Sequence, residues 1–132
     1  MCLKVIATIS PSSQKRVSAR RLSKVTGLSI SSIKREGKPS LHFTVSGGCS
    51  CEFLAENYNS TDPVWNLAPA HLSRLADAVE FLGKNTDGFS FLVDWLNGDI
   101  EQTESDLTLE DLMKRIMDNN IGNNVLYHVG KK

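Results

Sequence analysis

The chain alternates between two hydrophobic periods, and the alternation sketches most of its elements. "LKVIATI" (Leu3–Ile9) is a short run rich in β-branched residues, closed by Ser10 and Pro11, and reads as an interior strand. Ser12 or Ser13 is placed to cap a helix running to about Val25 and stopping at Gly27, with Val17, Ala19, Leu22 and Val25 as a thin apolar face. Leu41, Phe43 and Val45 alternate with His42 and Thr44, the period of two of a half-buried strand. Pro69 opens the clearest helix, in which Leu72, Leu75, Ala76, Val79 and Leu82 share one face and Gly83 or Asn85 is the expected end. "DGFSFLVDWL" is a strand with Phe89, Phe91, Val93 and Trp95 on one side. Asp99 to Asp111 reads as an acidic, solvated loop without the spacing of a calcium site. Thr108 and Asp111 form a capping-box pattern ahead of a helix burying Leu109, Leu112, Met113, Ile116 and Met117, and "NVLYHV" is a last strand.

Residues 19–45 allow two readings. In the first, residues near Ser29–Arg35 form a strand, "EGKP" turns, and Leu41–Val45 returns as its hairpin partner. In the second, "SARRLSKVTGLSISSIKR" resembles a helix-turn-helix, with Leu22 in a first helix, Gly27 at the turn, Ser29 as a cap and Ile33 on the inner side of a recognition-like helix. The β-branched Ile30 and Ile33 favour the hairpin. With the hairpin the order is β-α-β-β-α-β-α-β. This resembles a ferredoxin-like β-α-β-β-α-β sandwich with an added α-β unit: an α+β fold with an antiparallel or mixed sheet and helices on one face. That architecture carries no function by itself.

A chain of 132 residues suits a single α+β domain over 1–132. Formal net charge is +0, but its distribution is uneven. Residues 1–38 carry nine Lys and Arg against Glu36 alone, whereas the remainder carries six against fourteen Asp and Glu. Arg20, Arg21, Lys34 and Arg35 are therefore candidate anion-binding residues, and a DNA-binding regulatory protein using 19–35 is the alternative function; nucleic acid is an allowed partner, though not the favoured one. A solvated helix face is the structural explanation of the same charges. No stretch approaches the roughly 20 apolar residues of a membrane-spanning helix. The short apolar run at the N-terminus does not match a cleavable signal, so three cysteines read as reduced thiols of a cytoplasmic protein.

The chemistry worth testing lies in "VSGGCSCEFL". In a ferredoxin-like sheet the first strand lies beside the third and opposite to it in direction. Cys2 then sits near Cys49 and Cys51, with Gly47 and Gly48 leaving room for a ligand. The strand after the Pro69 helix would bring Asp94 and Trp95 to the same corner, and a last strand parallel to it would add His128. Cys2, Cys49, Cys51 and His128 could then hold a soft metal such as zinc. A reactive thiolate is a second possibility, opposed by Glu52 next to Cys51. Small residues filling one end of a core are the structural explanation. His42 is expected to face solvent, and His71, in the first turn of its helix, has no sequence-local partner. No motif identifies an enzyme. The leading expectation is a ligand- or metal-binding module built on the cysteine corner.

Overall fold

A computed structural model of the chain describes residues 3–47, 50–54, 67–95, 100 and 102–130, and for Cys51, Glu52 and Trp95 only the main chain. The described elements are β1 (Leu3–Ile9), a 3-10 turn at Pro11–Ser13, α1 (Ala19–Thr26), β2 (Ser29–Arg35), β3 (Lys38–Thr44), a 3-10 turn at Ser50–Phe53, α2 (Pro69–Asn85), β4 (Phe89–Trp95), β5 (Gln102–Leu107), α3 (Leu109–Met117) and β6 (Val125–Val129). The protein is α+β. Its six strands form one mixed sheet in the order β2-β3-β1-β4-β6-β5.

β1 lies between β3 and β4 and is antiparallel to both, as the sequence suggests. β2 pairs with β3 along its whole length, from Ser29↔Thr44 to Arg35↔Lys38. The hairpin therefore holds, and the recognition-like helix over 29–35 does not. Ile30 and Ile33 sit better on a pleated edge than in a helix, where β-branched side chains lose rotamer freedom. The order across all six strands differs from that of a four-stranded ferredoxin-like sandwich.

The main difference lies in the acidic stretch. Gln102–Leu107 is a strand at the sheet edge, parallel to β6, with a register shift between Glu104 and Leu107. No apolar alternation announces it. Arg115 of α3 holds it through a two-pronged ion pair to Glu104, both contacts at 2.7 Å, and the same guanidinium lies 5.7 Å from the Tyr127 ring centre. This extra strand reverses the chain before α3, so β6 returns antiparallel to β4 rather than parallel to it.

The helices pack on one face of the sheet. Leu3, Val5, Ala7 and Ile9 of β1 join Phe91, Val93, Tyr127, Leu41 and Phe43 in one core cluster with Leu75, Ala78, Val79 and Leu82 of α2 and Leu112 and Ile116 of α3. One helix boundary moves from its expected place, and the end of α2 falls at the second of its two expected positions. The first helix starts only at Ala19, because Pro11–Ser13 forms a separate turn; Ser18 caps it by accepting from Arg21 N–H at 3.1 Å, and Val25 is 55% exposed. Its end is as expected, at Gly27 in the left-handed region (φ 76°). α2 runs through Gly83 to Asn85. Gly83 lets α3 approach closely, since a Cβ there would lie 2.5 Å from Leu109 Cδ2 and displace that side chain. The Thr108–Asp111 capping box is present.

Leu75 is fully buried in this core. Leu75→Ala is expected to lower stability by roughly 2–5 kcal/mol in urea unfolding, as cavity-forming leucine truncations do. A change below about 0.5 kcal/mol would show that α2 does not pack as described.

Candidate functional site

The cysteine corner is only partly within the described residues. Cys2, Gly48 and Cys49 lie outside them. The Cys51 main chain belongs to the 3-10 turn after β3. Asp94 pairs across from Lys4 and Trp95 from Leu3, so β4 does end where β1 begins. Gly47 adopts φ 92°, and its N–H donates to Thr44 Oγ1 at 3.0 Å. His128 is not at this corner. The antiparallel β6 places it opposite Ser90, at the far end of the sheet. His128 is thus set apart from the Cys51 turn, and Cys2 and Cys49 of the expected zinc set lie outside the described residues. Among the described residues no group of three or more His, Cys, Asp or Glu is placed to hold a metal ion.

The residue that organises this corner is the serine between the two thiols. Ser50 is fully buried. Its Oγ accepts from Val5 N–H at 3.1 Å and donates to the Phe43 carbonyl, bridging the two residues that face each other across the β1–β3 ladder. His42 Nε2 lies 3.1 Å from the same oxygen. The hydroxyl has one proton, and the Phe43 carbonyl can only accept. His42 must therefore donate from Nε2, which fixes the neutral ring as the Nε2–H tautomer. Contrary to expectation His42 is half-buried. Burial pushes its pKa below the ordinary histidine value, and Lys4, diagonal to it on the same sheet face, pushes it further down. Sequence reasoning missed Ser50, because a lone serine in a glycine-rich turn carries no local mark of burial. His71 meets Phe53 edge-on, with ring centres 5.8 Å apart.

The other end of the sheet holds a second, unforeseen constellation. Strand register aligns Ser40 of β3, Thr8 of β1, Ser90 of β4 and His128 of β6 in one cross-strand row on the face away from the helices. The Thr8 and Ser40 hydroxyls are 3.0 Å apart, and Ser90 Oγ is 2.7 Å from His128 Nδ1. Thr8, Ser90 and His128 line a cavity of about 530 Å³. Lys38, Ser105 and Asp106 rim it, and Ile9, Phe89 and Val129 supply apolar wall. Asp106 has φ 60° within the irregular stretch of β5 that borders this opening. His128 Nε2 has no hydrogen-bond partner among the described residues.

Arg20, Arg21 and Lys34 are exposed, and Arg35 is partly so. Arg21 also stacks over Phe81 at 5.8 Å. Without a second helix, only their charge supports nucleic-acid binding. No helix among the described residues is long and apolar enough to cross a membrane.

Ser50→Ala leaves the buried Val5 N–H and Phe43 carbonyl without their partner. At about 1–3 kcal/mol for each orphaned group, a loss of roughly 2–6 kcal/mol is expected in chemical denaturation. A loss within about 0.5 kcal/mol would mean that the bridge is not made. His42 sets a pH dependence. Its pKa is lower folded than unfolded, so the unfolded chain binds the extra proton first. Stability from the neutral ring is complete above the unfolded value of about 6.5 and declines as pH falls from there through the folded pKa. Denaturation midpoints between pH 7.5 and 5 check this, and His42→Gln is expected to flatten that part of the profile.

Compared with known proteins, the chain matches no protein-family model, no curated protein and no solved structure.

Proposed function

We propose that this protein is a small-ligand-binding module whose site is the cavity at the Thr8–Ser90–His128 end of the sheet. The observation that carries this reading is the convergence of hydroxyl and imidazole groups from neighbouring strands on one wall of a cavity of about 530 Å³. Ligand sites commonly combine such a volume with apolar walls and a few convergent polar groups. The ligand class follows from the lining: a small organic molecule with hydroxyl, carbonyl or carboxylate groups for Thr8, Ser90, His128 and Lys38, and an apolar part for Ile9, Phe89 and Val129. Ser90 holds His128 through Nδ1, so Nε2 is the atom offered to the ligand. The scaffold reading that goes with this function is a ferredoxin-like unit, β1 to β4 with α1 and α2, extended at the β4 edge by β5-α3-β6.

A metal-binding corner is retained as the second reading, because Asp94 Oδ1 is buried without a hydrogen-bond partner among the described residues, at the end of the sheet that carries Cys51. A zinc site there would draw on Cys2, Cys49, Cys51 and Asp94, without His128.

Titration of ¹⁵N-labelled protein with a panel of small hydroxy and carboxylic acids tests the first reading. Shifts are expected at Thr8, Ser90, His128 and Gly130, and the Thr8→Val, Ser90→Ala double variant is expected to weaken binding about ten-fold or more while circular dichroism shows it still folded at the temperature of the titration. Shifts confined to other surfaces would overturn it. Elemental analysis of the purified protein decides the second reading: about one zinc per chain, lost on Asp94→Ala, supports it, and metal-free protein with freely alkylating cysteines removes it.

A further inference from the structure

The two edges of the sheet are not alike. β5 is irregular between Glu104 and Leu107, and the left-handed Asp106 interrupts it; both features discourage another strand from pairing there. β2 has neither defect. It is seven residues of unbroken register, without proline or glycine, and its sole neighbour among the described strands is β3. Ile30 N–H faces away from β3 and is satisfied by Ser23 Oγ of α1 at 3.0 Å. By the alternation of a strand, the main-chain groups of Ser32 and Lys34 point the same way, and no residue among those described pairs with them. α1 thus closes one end of the edge and leaves the Ser32–Arg35 end open.

The surroundings of that open end specify its partner. Arg20 and Lys24 of the neighbouring α1 and Lys34, Arg35 and Lys38 of the hairpin make the segment around this end basic, with Glu36 the one acidic residue of 19–38. A small cavity of about 130 Å³ lies on the helix side of the edge, between Val17, Ser32, Ile33 and Leu41. A residue paired opposite Ser32 would direct its side chain to this same face.

We propose that the Ser32–Arg35 edge of β2 accepts an extended acidic segment of a partner polypeptide as a seventh strand. Main-chain hydrogen bonds supply the pairing, one small apolar side chain enters the cavity beside Ser32, and acidic side chains meet Lys34 and Arg35. A polypeptide fits this edge better than a nucleic acid does. The open groups alternate between donors and acceptors, and a phosphate backbone offers acceptors alone.

Fluorescence anisotropy with a labelled heptapeptide of alternating valine and glutamate tests the proposal. The comparison probes are the lysine counterpart, the same acidic peptide with alternate amides N-methylated, and a single-stranded oligonucleotide. The acidic peptide is expected to bind, and N-methylation, Ser32→Pro, or Lys34→Glu with Arg35→Glu is each expected to weaken it about ten-fold or more. Raising the salt is expected to weaken it as well. Melting curves check that Ser32→Pro is folded; if it is not, the charge variant and the N-methylated peptide decide the question. Equal binding of the N-methylated peptide, absence of acidic-peptide binding, or binding of the oligonucleotide in its place overturns the proposal.

Discussion

The constraint on which the structure depends is the burial of β1. Its helix-facing side chains Leu3, Val5, Ala7 and Ile9 are almost wholly removed from water, and strands flank it on both sides. Its main-chain groups face the flanking strands, so each needs a protein partner. β4 provides these along one edge from Leu3↔Trp95 to Ile9↔Phe89. β3 provides them along the other from Val5↔Phe43 to Thr8↔Ser40, and the Ser50 hydroxyl completes the match at Val5. A slip of one residue in either register would turn the apolar set of β1 to the wrong face. The rest of the sheet is built outward from these two alignments.

The same registers decide where chemistry can occur. With β1 held between β3 and β4, every second residue is presented on the face away from the helices. One row there contains His42 and Ile6; the next contains Ser40, Thr8, Ser90 and His128. At the corner end the polar groups serve the fold. Ser50 uses its donor and its acceptors within the protein, and His42 is held neutral as part of that network. At the far end His128 keeps Nε2 open beside a cavity. Two histidines on one sheet face thus differ in availability, because only one of them meets a buried hydroxyl whose proton is already committed.

Charge is sorted by the fold as it is along the chain. The basic N-terminal part forms α1 and the β2–β3 hairpin at one edge of the sheet, and acidic residues of β5 form the other. The acidic edge is tied down internally, since Arg115 of α3 holds Glu104 while its guanidinium covers the ring of Tyr127. Tyr127 in turn accepts from Gly122 N–H at 2.9 Å, and burial pushes its pKa up. Nothing comparable binds the basic edge, where Lys34 and Arg35 make no ion pair among the described residues.

Local periodicity was enough to determine the strands at Leu3–Ile9, Leu41–Thr44 and Phe89–Trp95, the α2 face, the Leu109, Leu112 and Ile116 face of α3 (Met117, expected with them, is exposed), and the preference for a hairpin at Ser29–Arg35. In each of these the side-chain pattern matches the backbone period, and burial reads directly as sequence. It also sufficed to place Asp94 and Trp95 where β1 begins, because alternating βα units leave few ways to order the strands. β5 was not legible, because its identity rests on Arg115 meeting Glu104 across eleven residues rather than on its own pattern. That one strand reversed β6 and carried His128 from the cysteine corner to the opposite end of the sheet. The burial of Ser50, the tautomer of His42 and the hydroxyl row of Thr8, Ser40 and Ser90 were decided by tertiary structure alone. A serine or histidine has the same local propensities in water and in a ladder gap, and only long-range pairing determines which groups surround it.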